Sequence, residues 1–184
     1  MKTIKNILLL AFIGITFVAC SSDDDVPEQI NEEETITTMT ITLVPAGGGT
    51  SIILQSQDLD GDGPNTPNKT VSGNLTANTT YSGSVVFLNE TESPAEDITE
   101  EVEEEDEEHQ VLYVASGNIT SVSYDDADGN GNPVGLEFTI VTGDAGNASL
   151  SATLRHEPKK PNDGTLEDAG GETDFTEIFS LTVE

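Results

Sequence analysis

From residue 35 onward, apolar side chains recur at every second position in runs of six to ten residues, and Gly, Asn, Asp and Pro fall between the runs. A two-residue period sends alternate side chains to opposite faces of an extended strand. Within 35–44, Met39, Ile41 and Leu43 share one parity with threonines between them. Gly47, Gly48 and Gly49 then turn the chain into a partner strand at 50–55 that carries Ile52, Ile53 and Leu54. A turn-rich acidic loop at 58–68 precedes runs at 70–75 and 80–88, the second with Tyr81, Val85 and Phe87 on one face. Further runs lie at 110–115, 119–124, 136–141, 148–155 and 175–183. So many short β-rich runs separated by turn chemistry specify an all-β fold. The expectation is an immunoglobulin-like antiparallel β-sandwich with one short acidic helix. The periodic segments at the two ends, 35–44 and 175–183, either pair or lie at opposite edges.

The helix is placed after Ser93. Serine suits the N-cap, Pro94 suits the first helical position, and Glu96 completes a capping box. Ala95, Ile98 and Val102 form a narrow apolar stripe, and all six residues from Glu103 to Glu108 are acidic. Negative charge is unfavourable at a helix C-terminus, so the helix is expected to fray or bend there unless a cation docks.

The first residues read as an address. Lys2 and Lys5 make a short basic start, and 7–19 is almost wholly apolar, ending Phe17-Val18-Ala19-Cys20. Thirteen residues are too few for a spanning helix, which needs about 20, but suit a secretory signal. A small residue directly before the chain's one cysteine fits lipoprotein processing, with diacylglycerol on the Cys20 thiol, cleavage before it, and an acylated Cys20 as the mature N-terminus. The domains expected are therefore a signal peptide at 1–19, a lipidated cysteine with a disordered acidic tether at 20–34, and one β-sandwich at 35–184. Ser21-Ser22-Asp23-Asp24-Asp25 resembles the surface-export signal of Bacteroidetes lipoproteins, which implies an outer-membrane lipid anchor facing the cell exterior. The periplasmic face is the alternative.

Removing 1–19 leaves 165 residues, with Lys69, Arg155, Lys159 and Lys160 against 35 acids, a formal charge of −31. That charge repels nucleic acid and favours divalent cations and basic partners. With Cys20 acylated, the folded part has neither disulfides nor a thiol nucleophile, so stability must come from its core.

Three constellations carry the possible chemistry. Asp126, Asp128, Asn130, Asn132 and Glu137 match the calcium-loop spacing D-x-[DN]-x-[DN]-G-x5-E, in which hard oxygen donors recur at every second residue. Against calcium, Pro133 stands where a branched aliphatic is usual and strands flank the loop, so a plain hairpin turn accounts for the same residues. Asp58, Asp60 and Asp62 open a second loop of this kind, but Lys69 stands where its closing carboxylate belongs. The second constellation is Glu101, Glu105 and His109 at helical spacing, with His156 the other imidazole. Such donors suit Zn2+ or Cu2+, or else the histidine simply closes a solvated acidic stretch. The third, Arg155-His156-Glu157-Pro158-Lys159-Lys160-Pro161, gathers three of the four remaining basic side chains. It either docks on the acidic helix of its own molecule, or binds a partner, or is a plain surface loop. Catalysis finds little support: there is no G-x-S-x-G, no H-E-x-x-H and no phosphate-binding glycine loop. Tryptophan is absent as well, which leaves no ready platform for stacking sugars.

Several stretches together resemble a family of small flavobacterial lipoproteins. They are the Cys20-Ser-Ser-Asp-Asp-Asp start, Leu75-Thr-Ala-Asn-Thr-Thr-Tyr81, Leu88-Asn-Glu90, Ile98-Thr-Glu-Glu-Val102, His109-Gln110, Arg155 to Pro161 and Gly170-Gly-Glu-Thr-Asp174. Members of the family are commonly labelled type 1 periplasmic binding fold superfamily proteins. The resemblance spans essentially the whole chain after the signal and includes both histidines and the basic loop, but implies no assigned active residues. The label denotes two α/β lobes, whereas the pattern here implies a sandwich. The functional expectation is a non-enzymatic, membrane-anchored surface module that binds a divalent cation or a protein partner of an outer-membrane uptake system. A calcium-stiffened adhesive module and a carboxylate-dependent hydrolase are the alternatives.

Overall fold

The computed structural model describes residues 34–61 and 63–184. Cys20, the signal and Asp62 lie outside the described residues. Among the described residues, ten strands make two antiparallel sheets. In the larger, β1 (Thr38–Pro45), β2 (Ile52–Gln57), β3 (Asn68–Val71), β4 (Thr80–Asn89), β7 (Ile119–Tyr124) and β8 (Glu137–Thr142) run in the order β3-β2-β1-β4-β8-β7. The two-residue β5 (Glu96–Asp97) pairs with the end of β4. The smaller sheet places β9 (Gly146–His156) between β10 (Glu172–Val183) and β6 (His109–Gly117). The fold is an all-β sandwich.

Alternation decides which faces meet. Met39, Ile41 and Leu43 of β1 are buried, and so are Tyr81, Val85 and Phe87 of β4, all on the inward parity. Val111, Leu150, Leu154, Phe179 and Leu181 supply the facing side. Aromatic contacts join the sheets: Phe138 of β8 stacks on Tyr113 of β6 at 4.0 Å between centroids, and Phe87 of β4 meets Phe175 of β10 at 6.3 Å. Gly83 lies opposite Phe138 in the ladder, and a Cβ there would stand 2.5 Å from the ring. The absent side chain is what lets that ring lie flat against β4.

Three expectations need correction. The helix α1 is Ile98–Glu104, not a helix from Ser93. The backbone of Glu96 and Asp97 is committed to the ladder with Leu88 and Asn89, so the first free turn begins after it. Asp97 is the N-cap, accepting from the Thr99 amide at 3.0 Å. The Thr99 hydroxyl in turn accepts from the Phe87 amide and seats the helix on β4. Ile98 and Val102 are buried as expected, while Ala95 is exposed. The run at 70–75 divides: β3 stops at Val71 and is exposed throughout, whereas Leu75 turns into the core and bridges Val183 in parallel. Finally, β1 is interior to one sheet and β10 is an edge of the other, so the end segments neither pair nor bound one sheet. No helix among the described residues is long and apolar enough to cross a membrane.

Candidate functional site

The smaller sheet brings the two histidines together. β6 opens on His109 immediately after the acidic turn, β9 closes on His156, and the antiparallel register sets the two directly opposite. Opposed residues share a face, so the imidazoles stack with centroids 4.7 Å apart and 19° between planes. Both are buried, His109 completely. On the far side of β9, Glu172 pairs with His156 and the β10 register then slips between Thr173 and Phe175. Asp174 is the extra residue of this bulge. Bulges re-aim side chains, and this one brings a carboxylate to the histidine pair. One donor atom each from His109, His156 and Asp174 lie within 4.8 Å of one another.

The ring of His109 has a definable polarity. Its Nδ1 lies 3.3 Å from the Glu105 carbonyl oxygen, which only accepts, so Nδ1 carries the hydrogen. In the neutral ring Nε2 then presents a lone pair. That atom is 3.2 Å from Glu34 Oε1, yet no aligned hydrogen bond joins them. Glu34 Oε2 and Asp174 Oδ2 are also buried without hydrogen-bond partners. Burial opposes a charged His109, but the hydrogen-bonding reach and negative charge of Glu34 outweigh it and raise the pKa. Burial first, then repulsion from Glu34, pushes the Asp174 carboxyl up to about 6. Burial and the charges of Glu34 and Glu105 also raise Glu101.

The helix ends at Glu104, so the expected face of Glu101, Glu105 and His109 does not continue as one helix. Glu105 instead caps it, and its carboxylate stays 3.8 Å from His109 Nδ1. Glu34, Glu105 and His109 make a second possible cluster, and Glu108, His156 and Glu157 a third. Among the described residues, every cluster able to hold a metal includes one of the histidines.

The loop with calcium-like spacing is arranged differently. Asp126 turns its carboxylate onto the backbone amides of Gly135, Leu136 and Glu137 at 2.7, 2.6 and 3.0 Å. Asp128 accepts from the amides of Asn130 and Asn132 and from the Asn132 side chain. Lys160 reaches in from the basic loop, its Nζ 2.6 Å from the Asp106 carbonyl and 3.4 Å from Asp128 Oδ2, with both side chains almost fully buried. Burial works against ionisation of Asp128, but these donors hold its carboxyl below the usual range. Glu137 and Asn130 are exposed. Two of the loop's carboxylates are thus committed to amides and to an ammonium group. Asp58 and Asp60 form an exposed turn in which Asp60 binds Asn65. That turn follows β2, whereas the other loop precedes β8. Two strands stand between them, roughly 14 Å at normal strand spacing.

The basic cluster docks on its own molecule. Arg155 donates to Thr173 Oγ1 and Lys159 pairs with Asp168 at 2.8 Å, while Lys160 supplies the cation that the end of the acidic run lacks. Sequence reasoning singled out both histidines, Glu105 and Lys160 but missed Asp174 and Glu34. Parity alone points Asp174 away from the core, and no local signal announces a bulge. Glu34 belonged to the expected tether. Compared with family models, curated proteins and solved structures, the chain matches none.

Proposed function

We propose that this chain is a membrane-anchored surface lipoprotein whose β-sandwich is a non-enzymatic binding module for a divalent cation. The observation that carries the reading is that buried polar atoms of Glu34, His109 and Asp174 lack hydrogen bonds beside the stacked imidazoles, with Glu34 and His109 only 3.2 Å apart. The large majority of buried side-chain polar atoms are paired, and a cation is a partner that would satisfy a lone pair and two carboxylate oxygens together. The calcium-stiffened alternative loses support because Asp126 and Asp128 are already satisfied within the fold. The anchor rests on Cys20 and the apolar run before it.

Thermal unfolding of the metal-stripped full chain in detergent tests the cation. Ca2+, Mg2+, Zn2+ and Cu2+ are added singly, and at least one is expected to raise Tm by about 5–10 °C at 100 times its dissociation constant. A Tm indifferent to all four sinks the reading. Palmitate labelling in cells tests the anchor: Cys20→Ser should abolish incorporation, and retained label would refute it.

A further inference from the structure

We infer that His109 Nε2, the His156 imidazole and the Asp174 carboxylate form a binding site for a late transition-metal dication, Zn2+ or Cu2+, with the Glu34 carboxylate closing the fourth position. The inference rests on the cation reading above and names the ion class and its donors. Four independent features of the site support it.

First, the donor set selects the ion. Imidazole nitrogen suits zinc and copper, whereas calcium and magnesium take oxygen donors almost exclusively. Second, His109 is held as metal-binding histidines are held. Its Nδ1–H is aimed at a backbone carbonyl and leaves Nε2 as the free lone pair. Third, that lone pair, on a fully buried ring, faces a carboxylate oxygen at 3.2 Å whose side chain is 8% exposed. Two acceptors face one another there unless a proton or a metal ion lies between. Fourth, the charges close: two neutral imidazoles and two carboxylates neutralise one dication, which is what a buried site requires.

The distances call for a small rearrangement. Donors around a tetrahedral zinc ion sit roughly 3.3 Å apart, and those of His109, His156 and Asp174 lie within 4.8 Å. Each of these three donors has to move by about 1 Å or less, and the Glu34 carboxylate, which lies with His109 and Glu105, has to swing toward them. The near-parallel rings would tilt so that their nitrogen edges converge, and the Asp174 bulge gives its carboxylate the freedom to follow. Glu105 orients from outside, through its carbonyl on Nδ1.

The test is calorimetric titration and thermal unfolding of the metal-stripped full chain with Zn2+, Cu2+, Ca2+ and Mg2+, alongside His156→Gln, Asp174→Asn and the loop control Asp128→Asn. Zn2+ and Cu2+ are expected to bind and stabilise while Ca2+ and Mg2+ do not. His156→Gln and Asp174→Asn should each weaken Zn2+ binding by at least about 100-fold, and Asp128→Asn should leave it unchanged. The Cu2+ complex should show nitrogen hyperfine structure from two imidazoles in its electron paramagnetic resonance spectrum. If His156→Gln does not fold, Asp174→Asn and the spectrum carry the test. Binding of Ca2+ or Mg2+ but not of Zn2+ or Cu2+ would overturn this inference and leave the cation reading standing, whereas binding of no ion overturns both. Zn2+ affinity unchanged in Asp174→Asn and in His156→Gln would overturn the assignment of the donors.

Discussion

The loop from Asp126 to Glu137 and the histidine pair are both acid-rich corners of one sandwich, and both carry metal-ligand spacing in sequence. They differ in what the fold has done with their polar atoms. In the loop, Asp126 is saturated by three backbone amides, and Asp128 is filled by two amides, an asparagine side chain and the Lys160 ammonium. At the histidines, buried atoms of Glu34, His109 and Asp174 have no hydrogen-bond partner. Ligand spacing is therefore a poor guide taken alone: the same carboxylates that fit an ion also fit amides, and a lysine a few strands away serves as the cation. What separates a stiffened turn from a candidate site is the residue of unmet polar demand after folding.

The comparison can be broken from either side. The largest effect is expected in the loop. Asp126→Ala orphans three amides and should cost about 3 kcal/mol or more by denaturant unfolding; a loss under about 1 kcal/mol would show that the carboxylate does not hold the loop. Lys160→Met comes next. Removing one partner of a buried ion pair should cost about 2–3 kcal/mol, and the vacated space beside Asp128 should make Tm respond to Ca2+ where the parent does not. Were stability to hold and Ca2+ still to have no effect, Lys160 would not be the internal cation.

On the histidine side the sign reverses. Asp174 binds its proton more tightly folded than unfolded, with a pKa raised from 3.8 to about 6. The stability this adds is fully present below pH 4 and is lost as pH rises through 6. Asp174→Asn should thus remove a weakening of the metal-free protein between pH 4 and 6 and gain about 1 kcal/mol at pH 7, after allowance for solvent screening. A destabilised Asn variant at pH 7 would mean that the carboxylate is already paired. The smallest effect belongs to Lys159→Ala, which loses only a largely exposed pair with Asp168 and should change stability by about 0.5 kcal/mol or less.

Much of the scaffold was legible in the sequence because burial follows parity: Met39, Ile41 and Leu43, like Tyr81, Val85 and Phe87, face inward as their alternation requires. The helix start was misread because Ser93, Pro94 and Glu96 satisfy local capping rules, whereas the ladder between β5 and β4 claims the backbone first. Both histidines were legible as residues but not as neighbours, since their pairing depends on the register of β6 against β9. Asp174 was invisible because a bulge cancels the parity on which strand reading depends. The link between Lys160 and Asp128 joins loops brought close only by the closed sandwich.

The bulge in β10 also bears on timing. Glu34 stands at the start of the domain, His109 in its middle, and His156 and Asp174 toward its end, so the four meet only once both flanking strands have zipped onto β9. Long-range pairings of this kind form late, after the cost of loop closure has been met. A nascent or translocating chain would hold these residues far apart and have little purchase on an ion. An ion held by these residues would be bound by the finished fold, and its occupancy would report that the last strand is in place.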